Sequence, residues 1–145
     1  MKKMIMMLAI TLSTLSAFAG EEIVNPKVLD AFKTKFKTVQ QVEWMAGKDF
    51  YRATFVYNDK HVFAYYNPDG ELLGVTRYVS PLDLSLNLQI NLKNNYANYW
   101  ISDLFEVAKS EGTTYYITLE NADTKIVLKS TDGNTWSSHQ KIKKV

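Results

Sequence analysis

The chain contains no cysteine. No thiol nucleophile, no thiolate metal site and no disulfide is therefore possible. Histidine is nearly as scarce: His61 and His139 each stand on an expected strand, outside any HxxxH or HExxH spacing, so neither has a second ligand at metal-binding distance. Both read as surface side chains. There is no G-x-S-x-G elbow and no glycine-rich phosphate loop, and the Asp-Gly turns lack the carboxylate series of a calcium loop. Scattered carboxylates such as Asp103 and Glu106 are the remaining route to acid–base chemistry, and nothing around them in sequence shifts their acidity. The chain is expected not to be an enzyme, and to use no cofactor and no metal.

Long hydrophobic runs are also missing, with one short exception. Met4 to Leu12 are apolar apart from Thr11, behind Lys2 and Lys3, and lead to Ala17-Phe18-Ala19. A charged start, a short apolar stretch and an A-x-A site make an export signal, cut between Ala19 and Gly20. A spanning helix needs about 20 apolar residues, and Ser13, Thr14 and Ser16 interrupt this run. No membrane anchor is expected once residues 1–19 are gone, and the absence of cysteine excludes a thiol-linked lipid. The expected location is periplasmic or secreted.

Net charge is absent too. Loss of Lys2 and Lys3 takes Lys+Arg from 17 to 15, equal to the 15 Asp+Glu. A neutral chain with interspersed charges lacks the basic footprint of a nucleic-acid binder. What remains, residues 20–145, suits one domain of ordinary size with a core built without staples. Of the 19 Phe, Trp and Tyr residues only Phe18 leaves with the signal, so aromatics are plentiful for that core.

Asn25-Pro26 is a helix start, with Val28, Leu29, Phe32 and Phe36 as one apolar stripe and an end near Thr38. Alternation then marks short strands around Val42–Trp44, Tyr51–Tyr57, His61–Tyr66 and Leu72–Tyr78, parted by turns at Asn58-Asp59-Lys60 and Asn67-Pro68-Asp69-Gly70. The order recurs: Ser80-Pro81 offers a second start, and strands follow near 100–109, 113–120, 125–129 and 134–142. Tyr51, Thr54 and Asp59 match Tyr115, Thr118 and Asp123 at an offset of 64. The fold class predicted is α+β: a tandem repeat of two α-β4 units, about 25–79 and 80–145, with helices on one face of an antiparallel sheet. Leu82, Leu84, Leu86, Leu88, Ile90 and Leu92 alternate with the period of a strand; the Ser80-Pro81 start and the repeat favour a helix over 82–92.

Tyr51-Arg-Ala-Thr-Phe55, Val62-Phe-Ala-Tyr-Tyr66-Asn-Pro-Asp-Gly70-Glu and Ser80-Pro81-Leu82 together resemble the Y-x-A-x-F … A-x-F-D-x-D-G-E … L-P run of the PepSY-like family. That family, also described as β-lactamase-inhibitor-protein-like (BLIP-like), comprises small exported proteins typical of Bacteroidota. Trp100–Glu106 and Tyr115–Glu120 resemble its second half, so the likeness covers nearly all of residues 20–145. Here the family's Leu-Pro order before the second helix appears as Pro-Leu. The resemblance implies a helix on a four-stranded sheet, twice, with no catalytic residue and no cofactor.

The expected function is a non-catalytic binding module with an envelope or extracellular protein or peptide as partner, in an inhibitory, regulatory or assembly role. The alternatives are an envelope carbohydrate or lipid-headgroup binder, with Trp100 or Trp136 as stacking platforms, and a cryptic hydrolase. Tyr51, Ala53, Phe55, Val62, Ala64 and Tyr66 are expected to face the core, with Tyr115, Ile117, Leu119, Ile126 and Leu128 at the offset. Period-two alternation then places Arg52, Phe63, Tyr65, Tyr116 and Val127 on the open face, as the candidate partner-binding residues.

Overall fold

Asn25 opens the first helix because its side chain can replace a missing backbone partner. In the computed structural model, which describes residues 18–19 and 23–145, Asn25 Oδ1 accepts from the Lys27 N–H at 3.0 Å and Pro26 takes the first helical position. Helix α1 runs Pro26–Lys35, ending short of Thr38 when the Phe36 N–H bonds back to Phe32. Two-residue β1 (Phe18–Ala19) precedes it; β2 (Glu43–Ala46), β3 (Tyr51–Tyr57), β4 (Lys60–Tyr66) and β5 (Leu72–Tyr78) follow. Met1–Ala17 of the expected signal, and Gly20 at its cleavage bond, lie outside the described residues.

The second series is helix α2 (Leu86–Asn95), then β6 (Trp100–Lys109), β7 (Gly112–Glu120), β8 (Thr124–Ser130) and β9 (Ser137–Lys143). The eight strands from β2 onward form an antiparallel sheet whose strands follow one another in chain order, with β1 added beside β2. The chain divides into two compact units, one holding the chain up to Val56 with Phe63–Leu73, the other holding Tyr57–Val62 with Gly74–Val145.

In the first unit an aromatic cluster is the core. Phe32 of α1 meets Trp44, Phe55 and Tyr66 edge-on at 5.3, 5.3 and 6.4 Å between ring centroids. Such pairs add about 0.5–1.5 kcal/mol each to the burial of their area. Burial also holds the Tyr66 hydroxyl protonated, its pKa pushed up to about 12. In the second unit Leu84 and Leu88 pack on Leu104, Ile117, Leu119, Ile126 and Leu128. Ala53, Phe55, Val62, Ala64 and Tyr66, with Ile117, Leu119, Ile126 and Leu128, are buried as expected, while Tyr51 and Tyr115 at the ends of the two sets are only half-buried; the strand phase read from the sequence holds in both units.

The helix expected from Ser80 starts later. Ser80 and Pro81 open only a 3₁₀ turn, Pro81–Asp83, which Ser80 and Asp83 close as a capping box. The α-helix begins after Ser85, whose hydroxyl accepts from the Leu88 N–H at 3.4 Å, and runs on past Leu92 to Asn95. Ser85 is thereby the counterpart of Asn25, and the two caps share a second bond. Asn25 Nδ2 donates to the Pro68 carbonyl in the Asn67–Gly70 turn, at 3.0 Å; the Ser85 hydroxyl donates to the Gly133 carbonyl in the Asp132-Gly133 turn. Each cap ties the start of its helix to an Asp-Gly hairpin in its own unit.

Candidate binding surface

The alternating apolar run of 82–92 takes on a different meaning once it is helical. Residues four apart share a helix face, whereas residues two apart lie on nearly opposite sides. Leu88 is accordingly buried and Leu92 packs against the same cluster, which Leu84 joins from the segment just before the helix. Leu82, Leu86 and Ile90 point the other way, 82, 70 and 46% exposed. A strand would have put all six on one face; the helix parts Leu86 and Ile90 from Leu88 and Leu92, and the 3₁₀ turn before it leaves Leu82 exposed and Leu84 buried.

The solvent side of the helix borders a groove of about 420 Å³ in the second unit, walled by Leu86, Ile90, Tyr96, Tyr99 and Ile101. Tyr96 and Tyr99 meet edge-on at 5.8 Å, fixing one wall. Lys93 is the one charged side chain among the described residues that line it. Sequence reasoning favoured a helix over 82–92 but did not divide its apolar residues between two faces, and so missed this surface; the four-residue spacing within that run was the available signal.

The open-face expectation needs correcting in its exposure. Arg52, Phe63, Tyr65, Tyr116 and Val127 do lie on the strand faces opposite the two cores, given the burial of their alternating neighbours. Yet Tyr65 is only 4% and Tyr116 only 6% exposed. Tyr65 is covered by Phe50, 5.9 Å away between centroids. Tyr116 stacks on Phe105 at 5.4 Å, its cross-strand partner, and takes the edge of His139 at 5.5 Å. A loop residue, Phe50, has absorbed Tyr65 into the fold, and cross-strand pairing with Phe105 has absorbed Tyr116. Arg52, with its guanidinium 5.3 Å from the Phe63 centroid, and Val127 remain half-buried, as does Phe63.

The tryptophans offered as sugar platforms are engaged in other ways. Trp136 is half-buried against the second core and donates its Nε1–H to the Leu88 carbonyl at 3.2 Å. The Trp100 ring carries the Lys144 ammonium over one face at 4.8 Å, and Lys144 also pairs with Glu120 at 3.0 Å. The carboxylates do not converge either. Asp103 pairs with Thr118 and Glu106 with Tyr115 in a continuous register, so an odd spacing puts them on opposite faces of β6. Burial raises the Asp103 pKa, while Glu106 is bound by the Arg77 guanidinium. His139, half-buried beside Lys129 and Tyr116, has a lowered pKa, chiefly from desolvation.

No family model matches the sequence, and no curated protein matches it. Solved structures do. A BLIP-like protein from Bacteroides fragilis superposes with a TM-score of 0.70 at 14% identity, over 83% of this chain and 86% of that one. A DUF2874 family protein from Bacteroides ovatus gives 0.72 at 19% identity, over 83% and 87%. A protein from Bacteroides eggerthii, provisionally named periplasmic, gives 0.69 at 17% identity, over 83% and 88%. The fold of this chain is BLIP-like. Among the described residues no helix is long and apolar enough to cross a membrane.

Proposed function

We propose, with the BLIP-like fold as premise, that this protein is an exported, non-catalytic binding module whose two α-β4 halves form a tandem repeat. Its partner is a protein or peptide segment that lays apolar side chains, flanked by a carboxylate, into the groove beside α2. The observation that carries this reading is the solvent-facing pair Leu86 and Ile90 on a helix whose other side is already packed, extended by Leu82 on the preceding turn. Folding needs only one of the two sides, and exposed apolar surface bordering a groove marks a recognition site. Lys93 supplies the charge that the partner's carboxylate complements. A groove of about 420 Å³ is within the size range of sites that take small ligands or short segments. The residues singled out on the strand faces enter the proposal with altered roles: Arg52, Phe63 and Val127 as accessible contacts within their own units, Tyr65 and Tyr116 as their support.

The test is comparative capture from the envelope fraction with wild type and the double variant Leu86→Ala/Ile90→Ala. Hot-spot truncations cost at least about 1–2 kcal/mol, so the variant should lose tenfold or more in affinity for the recovered partner while its melting temperature stays put. Lys93→Glu should weaken the same complex. Full-strength binding by both variants would move the site elsewhere on the fold.

A further inference from the structure

The two outer strands of the sheet are defended very differently. β9 carries Lys141 and Lys143, is largely exposed, and its ladder with β8 breaks register between Val127 and Leu128. Lysines and bulges are the devices by which natural edge strands repel a further strand. β2 has neither. Its only charge is Glu43 at its first residue, followed by Trp44, Met45 and Ala46, and its ladder with β3 runs through four consecutive pairs without a shift. Its far side is taken by β1, antiparallel, with Phe18 opposite Met45 and Ala19 opposite Trp44. Ala19 is the last residue before the expected cleavage bond.

We propose that removal of the signal uncovers β2 as a strand acceptor, and that an extended, uncharged peptide segment of a partner adds to it antiparallel. The proposal rests on the reading of residues 1–19 as a cleaved signal. The segment already seated there defines the chemistry: a bulky residue opposite Met45, a small one opposite Trp44, and no charge. Cutting after Ala19 severs β1 from the domain and leaves the outward N–H and C=O groups of β2 without their strand partners, a template for β-augmentation. The acceptor stays formed because it is held from within. Trp44 packs edge-on against Phe32 at 5.3 Å, and β2 keeps its ladder to β3.

The experiment compares full-length precursor, processed protein, and processed protein with a synthetic peptide of residues 14–20. Hydrogen exchange of the Glu43–Ala46 amides should be at least tenfold faster in processed protein than in precursor, and should slow again with excess peptide. A peptide N-methylated at Phe18 and Ala19 should fail to protect them. Met45→Lys, at a side chain only 6% exposed, should abolish protection and also lower the melting temperature; Lys141→Met, on the other edge, should leave protection intact. If Met45→Lys does not fold, the N-methylated peptide still decides. Unprotected amides with peptide bound to nothing would overturn the proposal. So would a processed protein that is a dimer dissolved by Met45→Lys, since a second copy would then occupy the edge. An exported protein whose mass retains Phe18 and Ala19 would instead defeat the cleavage reading.

Discussion

Leu86→Ala and Leu88→Ala remove the same three carbons from the same helix, two residues apart, so helix propensity cancels between them. Leu88 is wholly buried in the second core, whereas Leu86 is 70% exposed. At about 0.8 kcal/mol per buried carbon, Leu88→Ala loses roughly 2.4 kcal/mol of transfer energy. The cavity left among Leu84, Leu104 and Ile117 adds to that, for about 3–4 kcal/mol in all. Leu86→Ala should stay within about 0.5 kcal/mol. The expected fall in melting temperature is roughly 10 °C for Leu88→Ala and about 1 °C for Leu86→Ala. Urea denaturation followed by tryptophan fluorescence suits the test, because the Trp136 indole bonds the Leu88 carbonyl. In a strand the two leucines would share a face and cost alike. Losses within about 1 kcal/mol of each other would refute the two-sided helix and the recognition stripe with it.

Gly70 has φ +85, and an added Cβ would lie 2.8 Å from the Lys27 carbonyl oxygen, whereas Gly133 has φ +73 with nothing within 4 Å. Gly133→Ala should cost about 1 kcal/mol from the left-handed backbone alone, and Gly70→Ala clearly more; equal midpoints in urea would show that the turn does not press on α1. Asp132 is held down to about 2, first by the Asn134 and Thr135 N–H groups and then by the Thr135 hydroxyl. A depressed carboxyl stabilises fully above its unfolded value near 3.9 and loses that stabilisation as pH falls through its folded value. The urea-midpoint gap between wild type and Asp132→Asn should therefore be constant above about pH 5, shrink as pH falls from there, and close only below about pH 2; a gap undiminished at about pH 2 would contradict the turn network.

The strands were legible because alternation and turn chemistry agree in this chain. Asn58 and Asp59 both take positive φ, at 50 and 62°, which a tight hairpin between β3 and β4 requires. Tyr51–Tyr57 is a strand over the residues that alternation predicts. Asn25-Pro26 was legible as a start since cap and proline serve one helix. Ser80-Pro81 carried the same signature but capped a single 3₁₀ turn, and the effective cap, Ser85, lacks a following proline. Local chemistry cannot rank two adjacent caps; the contact of Ser85 with the distant Gly133 carbonyl does. The burial of Tyr65 and Tyr116 was hidden for a related reason. Face assignment follows from period two, but exposure depends on what covers each face, and neither Phe105 across the ladder nor Phe50 in the loop before β3 is deducible from alternation.

Because strands follow one another in the sheet in chain order, no strand has to wait for a partner synthesised much later. The turns are short, as at 58–59, 110–111 and 121–123, so successive pairings close small loops and keep the sequence separation of contacts low for a sheet protein. Topologies of that kind fold faster than sandwiches with distant pairings. Under the proposed export, with the chain emerging N-terminus first, the assembly of the sheet could keep pace with arrival. Each newly delivered strand finds its template already in place, and no apolar strand edge but the newest is left uncovered to aggregate.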